Sequence, residues 1–227
     1  MILLQITTET PIDTTAIDPT AESVTVLDLL LKGGWVMIPL IILFAVSIYI
    51  FVERIRTIQR ASKVPEQFME KIRGLVSRGE ISSARVICSQ TDSPISRMIE
   101  KGISRIGSPL KSIEAAIENV GKLELYRLEK NLTLLATISG AAPMIGFLGT
   151  VTGMIQAFIA IAQEEGNVSP QLLSTGIYEA MITTATGLAV GILAYLGYNY
   201  LVSRVNKVVH QMEYISIDFI DLLQEPT

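Results

Sequence analysis

The sequence predicts an all-α, polytopic membrane protein with three transmembrane helices and a helical cytoplasmic domain. Two observations carry that expectation. The 227-residue chain is 49% hydrophobic, with a mean hydropathy of +0.46, above most soluble domains. Its charges also fall in blocks: three long stretches carry almost none, while the segments between them are rich in Lys, Arg and Glu, as a bilayer demands. The net charge of −4 points away from nucleic-acid binding, and the basic residues serve instead to orient the chain. The single cysteine, Cys88, excludes an intramolecular disulfide and lies in a segment that reads as cytoplasmic, so a buried or idle thiol is expected. No metal-ligand cluster is present and no cofactor is expected. The one histidine, His210, lies beyond the last apolar stretch without companions at ligand spacing and reads as a surface residue.

Residues 1–31 are acidic and Thr-rich with Pro11 and Pro19, and are expected to form an external, partly disordered segment without a cleaved signal, apart from a short amphipathic turn at Val24 to Leu31. The first transmembrane helix is assigned to 32–52. Its apolar part runs from Trp35 to Val52, with Pro39 near one end and Trp35 and Tyr49 where aromatic belts form. Residues 53–131 carry fifteen of the eighteen Lys and Arg residues, including Arg54, Arg56, Arg60 and Lys63 directly after the span. This loop is therefore expected in the cytoplasm. Ser93-Pro94 and Ser108-Pro109 each resemble an N-cap followed by proline in the first turn. Ile95, Met98, Ile99 and Ile106 recur at helical spacing, as do Leu125, Leu128, Leu132 and Leu135, so a cytoplasmic helix is expected to run unbroken into the membrane.

The second transmembrane helix, 132–162, is uncharged over about 31 residues, which as a helix extends about 46 Å and overshoots a hydrocarbon core of about 30 Å. It should tilt or project. Pro143 removes one backbone donor and frees the carbonyl of Ser139. The external hairpin, 163–173, contains Glu164 and Glu165 but no Lys or Arg. The third transmembrane helix, 174–202, is followed by Arg204 and Lys207 and by a cytoplasmic C-terminal helix, 203–227. The implied topology is N-terminus outside, C-terminus in the cytoplasm.

Glu179 is the only acidic or basic side chain in the apolar parts of the three spans, from Trp35 to Val52, 132–162 and 174–202. A carboxylate facing lipid is costly, so it should face protein or water, and intramembrane carboxylates of this kind relay protons. Desolvation also penalises its charged form. The plainer alternative is that Glu179 lies two turns inside the external boundary and snorkels to the interface. Thr183 and Thr186 follow at i+4 and i+7, with Thr184 on the flank, a polar stripe that suits a pore lining. These hydroxyls can equally bond back to carbonyls of their own helix. Gly146, Gly149 and Gly153, with Gly187, Gly191 and Ala194, form small-xxx-small faces that allow close helix packing within or between subunits.

Two segments resemble the ExbB, TolQ and MotA group of proton-channel subunits. The run from Ala136 to Met154, ATISGAAPMIGFLGTVTGM, is similar to the family's second-span motif, in which small residues and a proline precede Gly-Leu-x-Gly-Thr-Val. Here Phe147 precedes Leu148. The run from Gly176 to Ala189, GIYEAMITTATGLA, resembles its third-span motif, Gly-Ile-x-Glu-Ala-Leu followed by Thr and Gly. The three-span plan resembles that of ExbB and TolQ and extends over residues 30 to 220. The resemblance implies that Thr150, Glu179 and Thr184 line a central ion pathway, with adjacent Thr183 the other hydroxyl that fits the motif. It also implies a homopentameric ring around two copies of an ExbD- or TolR-like single-span protein, whose aspartate carries the proton. A TonB- or TolA-like periplasm-spanning protein would receive the work in the bacterial inner membrane. ExbB-type nutrient uptake, TolQ-type envelope maintenance and a gliding-type motor share these residues. Two other classes remain as rivals. A membrane enzyme lacks a second intramembrane carboxylate, a His-Ser pair or a metal motif beside Glu179. A non-conducting scaffold would use the cytoplasmic helices to recruit partners.

Overall fold

The computed structural model describes residues 33–63, 65, 67–163 and 170–224. These fold into seven helices and no strand: α1 (Met37–Ala61), α2 (Phe68–Ser77), α3 (Ile81–Gln90), α4 (Pro94–Ile103), α5 (Leu110–Glu129), α6 (Leu132–Gln163) and α7 (Pro170–Gln224). Three stretches are long and apolar enough to cross a membrane, within α1, α6 and α7. The chain is a multi-pass membrane protein. The amphipathic turn expected at Val24 to Leu31 and the tip of the hairpin, 164–169, lie outside the described residues.

The spanning helices are longer than the spans they contain. α1 continues past Val52 to Ala61 through Arg54, Arg56 and Arg60. α7, opened by Pro170 in the first-turn position where a missing N–H costs nothing, runs unbroken for 55 residues, about 82 Å at 1.5 Å per residue. Its first half therefore fits a bilayer, and its second half projects into the polar layer. There it meets α2 to α5 around a core that includes Phe68, Ile72, Ile99, Ile117 and Phe219. Phe219 fills the space over Gly102, where an added Cβ would lie 2.7 Å from its ring. Arg73 of α2 clasps Asp218 of α7 at 2.6 Å.

Two local expectations are corrected. Ser93 caps α4 as expected, in a reciprocal capping box with Ser96. Ser108 does not cap α5: Pro109 itself is the N-cap residue, at φ −52° and ψ 137°, with no side-chain cap. A proline ring fixes φ near that value and leaves the extended ψ of a cap position open. The helix entering the membrane is also interrupted. Lys130 is extended, at φ −49° and ψ 134°, and Asn131 is left-handed, at φ 65°, a conformation that asparagine tolerates better than most residues. Leu128, Leu132 and Leu135 stay buried on both sides of the break, so the apolar repeat survives and conceals it. Ile106 lies beyond the end of α4 and is half-buried.

Charged groups buried near the polar ends of the spans hold this break. Arg54 is only 4% exposed. It donates to the Arg127 carbonyl in the last turn of α5 at 3.1 Å and to Glu53 at 2.6 Å, which places a cation where the α5 macrodipole is negative. The Arg54 guanidinium, with help from Asn131 and Lys130, holds the Glu53 carboxyl below the usual carboxylate range. One turn back on α5, the buried Glu124 accepts from Arg97 at 2.7 Å and from Arg127 at 2.6 Å. Cys88 is buried, and burial, with Glu100 nearby, pushes its thiol up to about 12. His210 is exposed, 3.4 Å from Glu213.

Candidate functional site

The membrane part is organised by the seam between α6 and α7, the most extensive helix contact in the molecule. Along α6 the buried positions after Leu132, Leu135 and Ile138 are Ala142, Gly146, Gly149, Gly153 and Ala157, spaced by three and four residues, so they form one narrow stripe of small residues. α7 meets it with Gly176, Ala180, Thr183, Gly187 and Gly191. The helices approach until backbone touches backbone. A Cβ on Gly187 would lie 2.6 Å from the Ala142 carbonyl and 2.8 Å from the Gly146 Cα. On Gly146 it would lie 2.9 Å from the Thr183 carbonyl, and on Gly153 it would lie 3.1 Å from the Ala180 Cβ. Gly191 sits against Pro143 and faces the Ser139 carbonyl, the acceptor that the proline ring leaves without its helical donor. Close packing of this kind holds helices together in lipid, where no hydrophobic force acts between them.

The four hydroxyl and carboxyl residues singled out from the sequence take different places around this seam. Thr183 is inside it, 1% exposed, with its hydroxyl returned to the Ala180 carbonyl at 2.8 Å and its side chain filling the space over Gly149. Within one chain it is a packing residue whose hydroxyl is satisfied. Thr184 is on the flank and half-buried; it donates across the seam to the Gly146 carbonyl at 2.9 Å. That carbonyl is also the one to which the α-helical ladder directs the Thr150 amide. Thr150 therefore stands one turn from the Thr184 hydroxyl's partner, half-buried, with its own hydroxyl on the Phe147 carbonyl at 2.6 Å. Thr150 thus lies about 6 Å along α6 from the Gly146 level of Thr184, on the side towards Glu179, since Gly149 faces Thr183 and Gly153 faces Ala180.

Glu179 lies five residues before Thr184, about 7.5 Å along the helix. It is half-buried, and among the described residues no hydrogen bond or ion pair reaches its carboxylate. The group rests against Gly34, where an added Cβ would overlap Oε1 and lie 2.8 Å from Cδ. Gly34 has φ +65°, so this turn before α1 uses glycine twice, for its backbone angle and for the space it leaves. In the sequence Gly33-Gly34 signals only a turn, and nothing in it marks the glutamate as a neighbour. The carboxylate lies beside the residues that lead into α1, at the turn that carries exposed Trp35. A side chain that snorkels would occupy the same place.

The arrangement therefore offers a carboxylate unpaired among the described residues, beside the start of α1, and two threonines further along the spans, all next to a rigid glycine seam. Residues 90–214 match the model of the MotA/TolQ/ExbB proton channel family. A putative biopolymer transport protein ExbB homolog of Methanothermobacter thermautotrophicus is 32% identical over 197 residues, covering 84% of this chain and 68% of the relative. A putative ExbB-like biopolymer transport protein of Synechocystis is 32% identical over 198 residues, covering 84% and 74% of the two chains. The Tol-Pal system protein TolQ of Haemophilus influenzae is 31% identical over 198 residues, covering 80% and 86%.

Proposed function

Because the chain belongs to the MotA/TolQ/ExbB proton channel family, we propose that it is the channel-forming subunit of an inner-membrane motor that turns the proton motive force into mechanical work. The observation that carries this reading is Glu179: the one acidic group in the three spans, half-buried and without a protein partner among the described residues. An intramembrane carboxylate left unpaired is a functional group by default, since nothing structural compensates for its desolvation. Thr150 and Thr184 continue the polar path inward. Glu179 forms the outer mouth, where a proton enters from the side poor in Lys and Arg.

In this reading five copies form a ring around two single-span partners of the ExbD or TolR kind, and a carboxylate on the partner carries the proton past Thr150 and Thr184. Each proton supplies about 2.3 kcal/mol per 100 mV of membrane potential, which biases movement of the inner helices against the ring. The rigid seam suits that role, because a wall that yields would dissipate the displacement. The work passes to a TonB- or TolA-like protein that spans the periplasm. The loop rich in Lys and Arg supports a cytoplasmic 53–131 segment, with the N-terminus outside and the C-terminus inside. We favour an ExbB-like role in energising transport. A TolQ-like role in envelope maintenance is the second reading, supported by a TolQ relative that aligns over 86% of its own length. Purifying the complex from its native membrane and identifying the co-purifying proteins separates these. A single-span partner with one intramembrane aspartate, in a ratio of two to five, is the expected result. Recovery of the chain with cytoplasmic proteins only would instead support a scaffold.

A further inference from the structure

Where the spans meet the polar layer, α1 and α7 diverge and leave a cleft in two connected parts. The part in the membrane has a volume of about 460 Å³ and is walled by Phe44, Ile48 and Phe51 of α1, by Leu135 of α6, and by Leu193 and Gly197 of α7. Its lining is apolar apart from Tyr200 at its polar end and Ser47, whose hydroxyl donates to the Phe44 carbonyl at 2.8 Å. The part at the polar boundary has a volume of about 250 Å³. Ile55, Ile58 and Leu201 form its floor and Lys63, Arg204 and Lys207 its rim. Tyr200 lines both parts.

The charge of the rim is one-sided. No Asp or Glu lines either part, and among the described residues none of the three cations is in an ion pair. Arg204 is held in place instead, with Nε and an Nη donating to the Tyr200 hydroxyl at 3.1 and 2.9 Å and the guanidinium 5.1 Å from the ring centroid. Three cations are thus gathered at the mouth of an apolar groove. Along α1 the groove and rim floor run from Phe44 to Ile58, about 21 Å, close to one leaflet with its headgroup region, half of about 40–45 Å. An aqueous anion would use the rim and leave the groove empty; a neutral lipid would use the groove and leave the cations unmatched.

We propose that the α1–α7 cleft binds one anionic phospholipid, with the phosphate on Lys63, Arg204 and Lys207 and an acyl chain in the groove between Phe44 and Gly197. The lipid completes the contact between α1 and α7 that the protein leaves open there, and it sets the depth of the long α7 helix in the bilayer. This site is independent of Glu179 and of the ion pathway.

The test uses the full chain, in the oligomer it forms in mild detergent, and native mass spectrometry to count retained phosphatidylglycerol against phosphatidylcholine. Wild type should retain phosphatidylglycerol selectively. Each of Lys63→Gln, Arg204→Gln and Lys207→Gln should weaken that retention about fivefold, as expected for one cation at a lipid surface, and all three together should abolish the preference. These side chains are exposed, so folding is not at stake. Gly197→Leu, which pushes a side chain into the groove where even a Cβ meets the Phe51 ring at 3.1 Å, should lower retention with the cations intact. Equal retention of the two lipids, or a triple variant that behaves as wild type, overturns the proposal. Displacement of phosphatidylglycerol by glycerol 3-phosphate would mean an anion site without a lipid, and would also overturn it. So would a Gly197→Leu variant that changes oligomer mass and not lipid count, because a second copy would then fill the groove.

Discussion

Replacing Gly187 with alanine tests whether the α6–α7 seam is as tight as its geometry implies. The new Cβ would lie 2.6 Å from the Ala142 carbonyl, where ordinary contact begins at 3.4 Å. The atoms it meets belong to helix backbone and cannot rotate away. α7 must therefore retreat by roughly 0.8 Å, an overpacking penalty of about 1 to 3 kcal/mol. That retreat also stretches the Thr184 bond to the Gly146 carbonyl, now 2.9 Å, adding about 0.6 to 1.7 kcal/mol for an interhelical bond in lipid. Together these amount to about 2 to 5 kcal/mol, or a drop in Tm of about 4 to 20 °C for a chain of this size. Gly140, on the facing helix α6, provides the control, since a Cβ there meets nothing within 4 Å. Gly140→Ala should leave Tm unchanged or raise it, because alanine is the better helix former by up to about 1 kcal/mol. Thermal unfolding of both variants in one nanodisc preparation decides the matter. A Gly187→Ala protein as stable as wild type would refute the close-contact argument.

Further outcomes follow from single contacts. Thr184→Val removes the hydroxyl that crosses the seam and should lower stability by about 1 kcal/mol, while Thr150→Val, whose hydroxyl bonds only within its own helix, should change Tm little; both should reduce proton-driven activity partially, as a growth or transport assay would register. Gly34→Ala should dislodge the Glu179 carboxylate and impair function, but add nothing in a Glu179→Ala background; an additive loss in the double variant would show that Gly34 acts elsewhere. Cys88, with its thiol pushed up to about 12 by burial, should resist thiol reagents in the native chain at pH 7 to 9 and react on unfolding. Its raised value contributes stability below the unfolded thiol's value of about 8.5 that is lost as pH rises towards 12, so wild type should lose more stability at alkaline pH than Cys88→Ala. Protection of Cys88 therefore carries no topological information, and a Ser89→Cys reporter in a Cys88→Ala background should be reactive only from the cytoplasmic side.

The spans were legible in the sequence because charge is absent from a bilayer core for one dominant physical reason, and the long uncharged runs record it directly. The glycine faces were legible as small-xxx-small spacing. Their target was not, because spacing on one helix does not name the helix it meets: Thr183, grouped with Glu179 by the 3.6-residue period, turns into the seam onto Gly149, while Glu179 turns to Gly34. The break at Lys130 and Asn131 escaped because the leucine repeat is in phase on both sides of it, and periodicity reports a face and not backbone continuity. Arg54 and Glu124 looked like ordinary members of a solvated, charged loop. Their burial depends on Arg127 and Arg97 arriving from other helices, which no local pattern encodes.

The central claim is that Glu179 belongs to a proton pathway. Its most direct test is proton uptake by proteoliposomes that contain the chain with its co-purified partners, under an imposed potential, for wild type, Glu179→Ala and Glu179→Gln. Removing the carboxylate also removes a desolvation cost, so Glu179→Ala should assemble normally and yet conduct no protons. Glu179→Gln keeps the hydrogen-bonding shape without the titration, so it should fail equally if the residue takes up the proton and retain appreciable flux if it only holds water at the mouth. Wild-type flux in Glu179→Ala would contradict the account and leave Glu179 as a side chain that snorkels to the membrane surface.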